Sequence, residues 1–194
     1  VNSTASTLSI ATYGHESAHP EAVAQAFNGH TSSVAEADSD CAIFVINPST
    51  GVDQITIDIW RAIDELQIPR IVVVTQLENL EADFDDAVML ANRVFDHMAT
   101  PFLVLHDDAG LPCALISLET MRIVDYSTTP PQDIACEPEH ELLVQEFRDE
   151  YLELSTSLGS SAFAAGMLFP AIPLWIEKGI GVDIVKNYLS QLHN

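Results

Sequence analysis

The 194-residue chain carries 7 Lys and Arg against 29 Asp and Glu, a net charge of −22, and 47% of its residues are hydrophobic. That apolar share supports one packed domain, alone or with a small insertion. The scarcity of cations excludes a Lys/Arg-built surface for nucleic acid or anionic lipid. The longest apolar stretches, near Ala42–Ile46 and Ile71–Val74, are too short to cross a bilayer. Residues 1–7 show neither a basic n-region nor a long apolar run, so no secretory leader is expected. Cys41, Cys113 and Cys136 lack metal-type spacing and are odd in number, which points to a reduced, cytoplasmic protein.

In chain order, Thr7–Thr12 reads as a short strand closed by Tyr13-Gly14. A helix follows from Pro20, a residue suited to the first helical position, and Asn28-Gly29 stops it. The nearly all-apolar run Asp40–Asn47 predicts a strand buried on both faces. Ile55, Ile59, Ile63 and Leu66 recur at helical spacing after Asp53, and Ile68-Pro69 ends that helix. Ile71–Thr75 predicts a second buried strand, and Asp83 caps a helix carrying Phe84, Ala87, Val88, Ala91 and Phe95 on one side. Pro101–Leu105 reads as a third core strand. The order β-α-β-α-β-α-β predicts a parallel sheet with helices on both faces and right-handed crossovers.

The rhythm then changes. Cys113–Leu118 and Met121–Tyr126 read as an antiparallel pair, Thr128–Pro138 as a proline-rich linker, and Glu139–Ser157 as a long amphipathic helix. That helix places Leu143, Phe147, Tyr151, Leu154 and Leu158 on one side. Met167–Leu174 returns to strand character, and a helix over Val182–Leu192 closes the chain. The expectation is a three-layer α/β core over residues 1–105 and 165–194, interrupted by an inserted β-β-α unit over 106–164.

Two constellations bear on chemistry. His15-Glu16-Ser17-Ala18-His19 satisfies the H-E-x-x-H pattern of zinc peptidases, which needs both histidines on one helical face. Gly14 and Pro20 oppose a helix there, so a loop that binds no metal is expected. The same segment also stands where a strand, a glycine turn and a helix start would hold phosphate. Set against G-x-x-x-x-G-K-[ST], Gly14 remains, while His19, Pro20 and Glu21 replace the second glycine, the lysine and the hydroxyl residue.

Downstream, Asp40-Cys41-Ala42-Ile43-Phe44-Val45-Ile46 leads to Gly51-Val52, Trp60-Arg61 and Pro69-Arg70. This ordered series resembles the G domain of elongation factor G, in the translational GTPase family, and of its actinobacterial elongation-factor-G-like paralogues. Ala114–Leu118, Met121–Val124 and Tyr126 resemble the hairpin of that family's G′ subdomain. Phe169–Pro173 and Gly179–Val182 resemble its last core strand and the loop before the final helix. The resemblance spans residues 7–194 and implies a P-loop-NTPase-like fold with a reduced parallel sheet and a small G′-like α+β insertion.

It also implies a nucleotide site formed by Gly14, His15, Glu16, Ser17, Ala18, His19 and Pro20 together with Thr75, Gln76 and Glu78, the last three on the guanine-reading N-K-x-D motif. Glu78 keeps a carboxylate, whereas the motif's Asn and Lys are absent. The family's G-S-A turn falls on Leu174-Trp175-Ile176. Only residues 28–40 separate the first helix from the next core strand, so both switch segments are missing. An alternative register sets Ala11-Thr12-Tyr13-Gly14-His15 on the family's D-T-P-G-H motif instead. Either way the expected site is vestigial, without catalytic residues. No cofactor is expected, with GTP and magnesium the ligands of a working site. The implied role is a binding or scaffold part of a longer translation factor, with the ribosome or other factor domains as partners through protein contacts. The alternatives are a working GTPase completed by other domains and, more remotely, the zinc peptidase.

Overall fold

The structure, a computed structural model, describes residues 7–193; residues 1–6, which bear on the leader expectation, lie outside it. The elements run β1 (Ile10–Tyr13), a 3-10 turn (Glu16–Ala18), α1 (Pro20–Ala26), β2 (His30–Thr31), β3 (Cys41–Ile46), α2 (Gln54–Glu65), β4 (Arg70–Val74) and α3 (Phe84–Val94). β5 (Phe102–His106), β6 (Pro112–Ser117), β7 (Arg122–Asp125), β8 (Gln132–Ala135) and α4 (Pro138–Leu158) follow. The chain closes with β9 (Ala171–Pro173), a second 3-10 turn (Ile176–Lys178) and α5 (Val182–Ser190).

Five strands form a parallel sheet in the order β2-β1-β3-β4-β9. Strand alternation sends successive side chains to opposite faces. Ile10, Ile43, Val45, Ile71, Val73 and Ile172 pack with Val23 and Phe27 near α1 and with Val185 and Leu189 of α5. Ala11, Tyr13, Phe44, Ile46, Val72 and Val74 face the other way, onto Ile59, Trp60 and Ile63 of α2 and Phe84, Ala87 and Ala91 of α3. This is the expected three-layer arrangement, and it explains why β3 and β4 are apolar at nearly every position.

The second face is filled by aromatics around a buried cation. Trp60 stacks on Phe95 at 4.4 Å between ring centroids and meets Phe44 edge-on at 4.9 Å. The fully buried Arg70 guanidinium lies 4.5 Å from the Trp60 ring and 4.2 Å from that of Phe169. Its Nη2 donates to Asp64 Oδ1 at 2.6 Å and to the Gly166 carbonyl at 3.3 Å. Ring faces and a carboxylate partly replace the lost hydration of the charge. Trp60 Nε1 donates to Asp96 Oδ2 at 2.8 Å, so the indole's polar end is satisfied as well.

Three expectations need correction. The strand read at 101–105 forms, but outside the parallel sheet: β5 pairs antiparallel with β6 and begins a second sheet, β5-β6-β7-β8. Its residues are half-buried to exposed, as befits a sheet covered on one face. The neighbour of β4 in the parallel sheet is instead β9. The segment read as a proline-rich linker contains β8, which pairs with β7 from Arg122↔Ala135 to Asp125↔Gln132. The apolar stripe of α4 splits: Tyr151, Leu154 and Leu158 pack on the main core, whereas Leu143 and Phe147 face solvent.

Candidate functional site: the cleft at the strand ends

The carboxyl ends of parallel strands are where α/β folds place ligands. Here those ends are Gly14 after β1, Asn47 after β3, Thr75 after β4 and Leu174 after β9. β1 lies directly beside β3, with Ile10↔Cys41 through Tyr13↔Phe44 in register. That adjacency is the one expected if β1 is the phosphate-loop strand. Gly14 packs so closely on β3 that a Cβ there would stand 2.6 Å from the Val45 carbonyl oxygen. The position therefore needs glycine.

The segment after Gly14 folds onto itself. His15 caps the 3-10 turn: its Nδ1 accepts from the Ser17 amide at 3.2 Å and lies 2.8 Å from Ser17 Oγ. The Ala18 amide donates to the His15 carbonyl and the His19 amide to the Glu16 carbonyl, both at 3.0 Å. Pro20, at the first position of α1, has no N–H. Four consecutive positions, 17 to 20, thus leave no backbone donor uncommitted. The carbonyls are held too. Asn47 Nδ2 donates to Ser17 O at 3.0 Å, and Thr75 Oγ1 donates to Ala18 O at 2.8 Å. Ser17 Oγ also reaches Thr50 Oγ1 at 2.8 Å.

His15 and His19 flank this turn rather than share a helical face. His19 sits in the left-handed region, with φ 57° and ψ 55°, between the turn and α1. Among the described residues, no group of three or more His, Cys, Asp or Glu is arranged to hold a metal ion.

Residues from the two predicted segments do meet. Ala18 and His19 line a cleft of about 380 Å³ with Thr75, Gln76 and Glu78 and, opposite, Leu174, Trp175 and Glu177. Thr75 and Ala18 are buried at its floor, while His19 and Glu78 are exposed at its mouth. Gly14, His15, Glu16, Ser17 and Pro20 do not line it. Lys178 Nζ lies 4.1 Å from the Trp175 ring centroid, so the cation caps the indole at the cleft's edge. Sequence reasoning did not include Asn47 and Thr50 in the site. Asn47 was detectable as the polar residue ending the β3 apolar run, at a strand's carboxyl end.

A three-layer parallel sheet with a cleft at its carboxyl edge defines a doubly wound α/β protein. No protein-family model matches the chain. It is 27% identical over 168 residues to the elongation factor G-like protein of Mycobacterium tuberculosis, in both strain CDC 1551 / Oshkosh and strain ATCC 25618 / H37Rv. Each alignment covers 74% of this chain and 23% of the relative, so the chain spans about a quarter of the length of the curated relatives it matches. A crystal structure from Thermus thermophilus has the same fold, with a TM-score of 0.67 at 22% identity over 80% of this chain and 27% of that one. The chain is thus similar to a translational GTPase G domain, of the elongation-factor-G-like kind.

Proposed function

We infer that this chain is the G-domain-like part of a translation factor in which nucleotide handling is lost and the fold serves as a binding scaffold. One observation carries the reading: positions 17 to 20 have no free backbone donor, because three amides are bonded within the loop and Pro20 has none. A phosphate loop depends on such donors together with a lysine. Glu16 and Glu21 add negative charge beside the same turn. Each lost charge-assisted hydrogen bond costs about 1.5–3 kcal/mol, and three of them amount to a loss of more than about a thousandfold in affinity.

The open cleft beside Glu78 is the feature that favours the rival reading, a working GTPase that still reads a guanine edge. Titration with a fluorescent GTP analogue and magnesium, alongside a phosphate-release assay, separates the two. The expected result is no saturable binding below about 1 mM and no release above background. A dissociation constant of about 10 μM or better, competed by GTP and not by ATP, would establish the rival.

The remaining proposals follow from the same kinship. The partners are the ribosome or other factor domains, reached through protein surfaces, since the −22 charge opposes RNA. The compartment is the cytoplasm. No helix among the described residues is long and apolar enough to cross a membrane. The antiparallel sheet with α4 corresponds to the inserted G′-like unit, and it includes β5.

A further inference from the structure

Between α4, α5 and the start of β5 lies a cavity of about 360 Å³ that shares no residue with the cleft at Thr75. Its size is that of a small-molecule site. Four aromatic side chains border it: Phe102 of β5, Tyr151 of α4, Phe163 in the connection after α4, and Tyr188 of α5. The Phe163 and Tyr188 rings meet edge-on at 5.0 Å between centroids, a favourable contact that holds both in place. Ring faces carry negative potential, so walls of this kind favour a cation over an anion. Burial raises the phenols of Tyr151 and Tyr188 above their ordinary value, and the Glu119 charge adds to the rise in both. Both phenols therefore stay protonated and uncharged.

The polar lining sharpens the choice. Glu119, in the turn after β6, is the cavity's one charged side chain among the described residues. No Lys, Arg or His lines the space, and Glu119 makes no ion pair among the described residues. Ser155 Oγ donates its proton to the Leu152 carbonyl at 3.2 Å, which leaves its lone pairs free to accept. The carboxylate would repel an anion, and a neutral molecule would leave it unpaired. An ammonium can pair with it through charge-assisted hydrogen bonds and rest against the rings at the same time.

We propose that this cavity binds a small organic ammonium compound, its cation held by Glu119 and the rings of Tyr151 and Tyr188. The ammonium N–H groups donate to Glu119 and Ser155, and the apolar body lies on Phe102 and Phe163. The volume suits a metabolite-sized amine and not a helix or strand of a partner protein. Because the Thr75 cleft contributes no residue, GTP and magnesium leave amine binding unchanged whichever reading of that cleft holds.

The test is an NMR titration of the isotope-labelled 194-residue chain with phenethylamine, at about 0.15 M salt. Phenethyl alcohol and hydrocinnamate serve as the uncharged and anionic counterparts of the same shape. The amine is expected to bind with a dissociation constant of about 1 mM or better, at least tenfold tighter than the alcohol, and the anion not measurably. Its amide shifts should centre on Glu119, Ser155 and Tyr188. Glu119→Gln, at an exposed turn, is expected to weaken the amine about fivefold or more. Glu139→Gln makes the same change of net charge at the other end of α4 and should alter the affinity less than about twofold. Equal affinity for amine and alcohol would make the cavity an apolar site and overturn the proposal. So would an unchanged amine affinity in Glu119→Gln, or shifts spread over the acidic surface instead of gathered at the cavity.

Discussion

Every residue of β3 and β4 in the parallel sheet is buried, whereas all four residues of β8, at the edge of the antiparallel sheet, are exposed. The parallel sheet lies between helices on both faces. The antiparallel sheet has a single small core, in which Ala114, Ile116, Leu118 and Ile123 meet Cys136 and Val144. Apolar transfer stabilises in proportion to the area removed from water. The first unit should therefore hold most of the folding free energy, while the second leaves apolar surface available for contact.

The largest effect should come from the centre of the parallel unit. Trp60→Ala removes the ring that stacks on Phe95 and faces Arg70, and is expected to cost about 3–5 kcal/mol in urea unfolding. A loss below about 1 kcal/mol would mean that this core does not dominate. Gly181→Ala should come next. Its φ of 78° disfavours a side chain, and a Cβ would collide with the Pro173 carbonyl oxygen at the end of β9. The expected cost is about 2–4 kcal/mol by the same assay, and a neutral result would show that this turn shifts freely.

A third prediction concerns the seam between the two units, where Tyr151 of α4 and Tyr188 of α5 line the same cavity. Burial raises the phenol pKa of all four tyrosines, Tyr13, Tyr126, Tyr151 and Tyr188, above the ordinary 10.0. A raised acid favours the folded state below the unfolded value and loses that stability as pH rises through the folded one. Thermal stability should therefore decline above about pH 10 as the unfolded chain ionises first. Tyr188→Phe should flatten that decline. An unchanged slope in the variant would remove Tyr188 from the cause. The smallest effect is expected at the outer edge: Ile134→Thr on exposed β8 should change stability by no more than about 0.5 kcal/mol. A cost near that of Trp60→Ala would erase the contrast between the sheets.

Local chemistry was legible wherever one segment carried its own signal. The apolar run Cys41–Ile46 announced a strand covered on both faces, because only such a strand tolerates apolar residues at successive positions. Asp53 and Asp83 announced their helices, and both caps are present: Asp53 accepts from the Thr56 amide at 2.8 Å, and Asp83 forms a reciprocal capping box with Asp86. Gly14 and Pro20 marked the turn after β1, and Thr75 and Glu78 marked a second strand end that lines the same cleft as His19. The ordered matches from Asp40 to Arg70 were legible as well, since they depend on sequence order alone.

Tertiary structure decided which strands pair and which apolar residues find cover. Phe102–His106 has strand character in either sheet, and only its long-range hydrogen bonds with β6 assign it to the second one. β8 is exposed at all four positions and has no hydrophobic alternation, and its pairing with β7, with Arg122 Nε donating to Asp133 Oδ1 at 2.7 Å across the two strands, makes it a strand. Leu143 and Leu158 belong to the same stripe, yet one meets solvent and the other the core. Periodicity fixes the direction in which a side chain points from its own helix. What stands opposite is set by elements distant in sequence, and so is the commitment of the Ser17 and Ala18 carbonyls to Asn47 and Thr75.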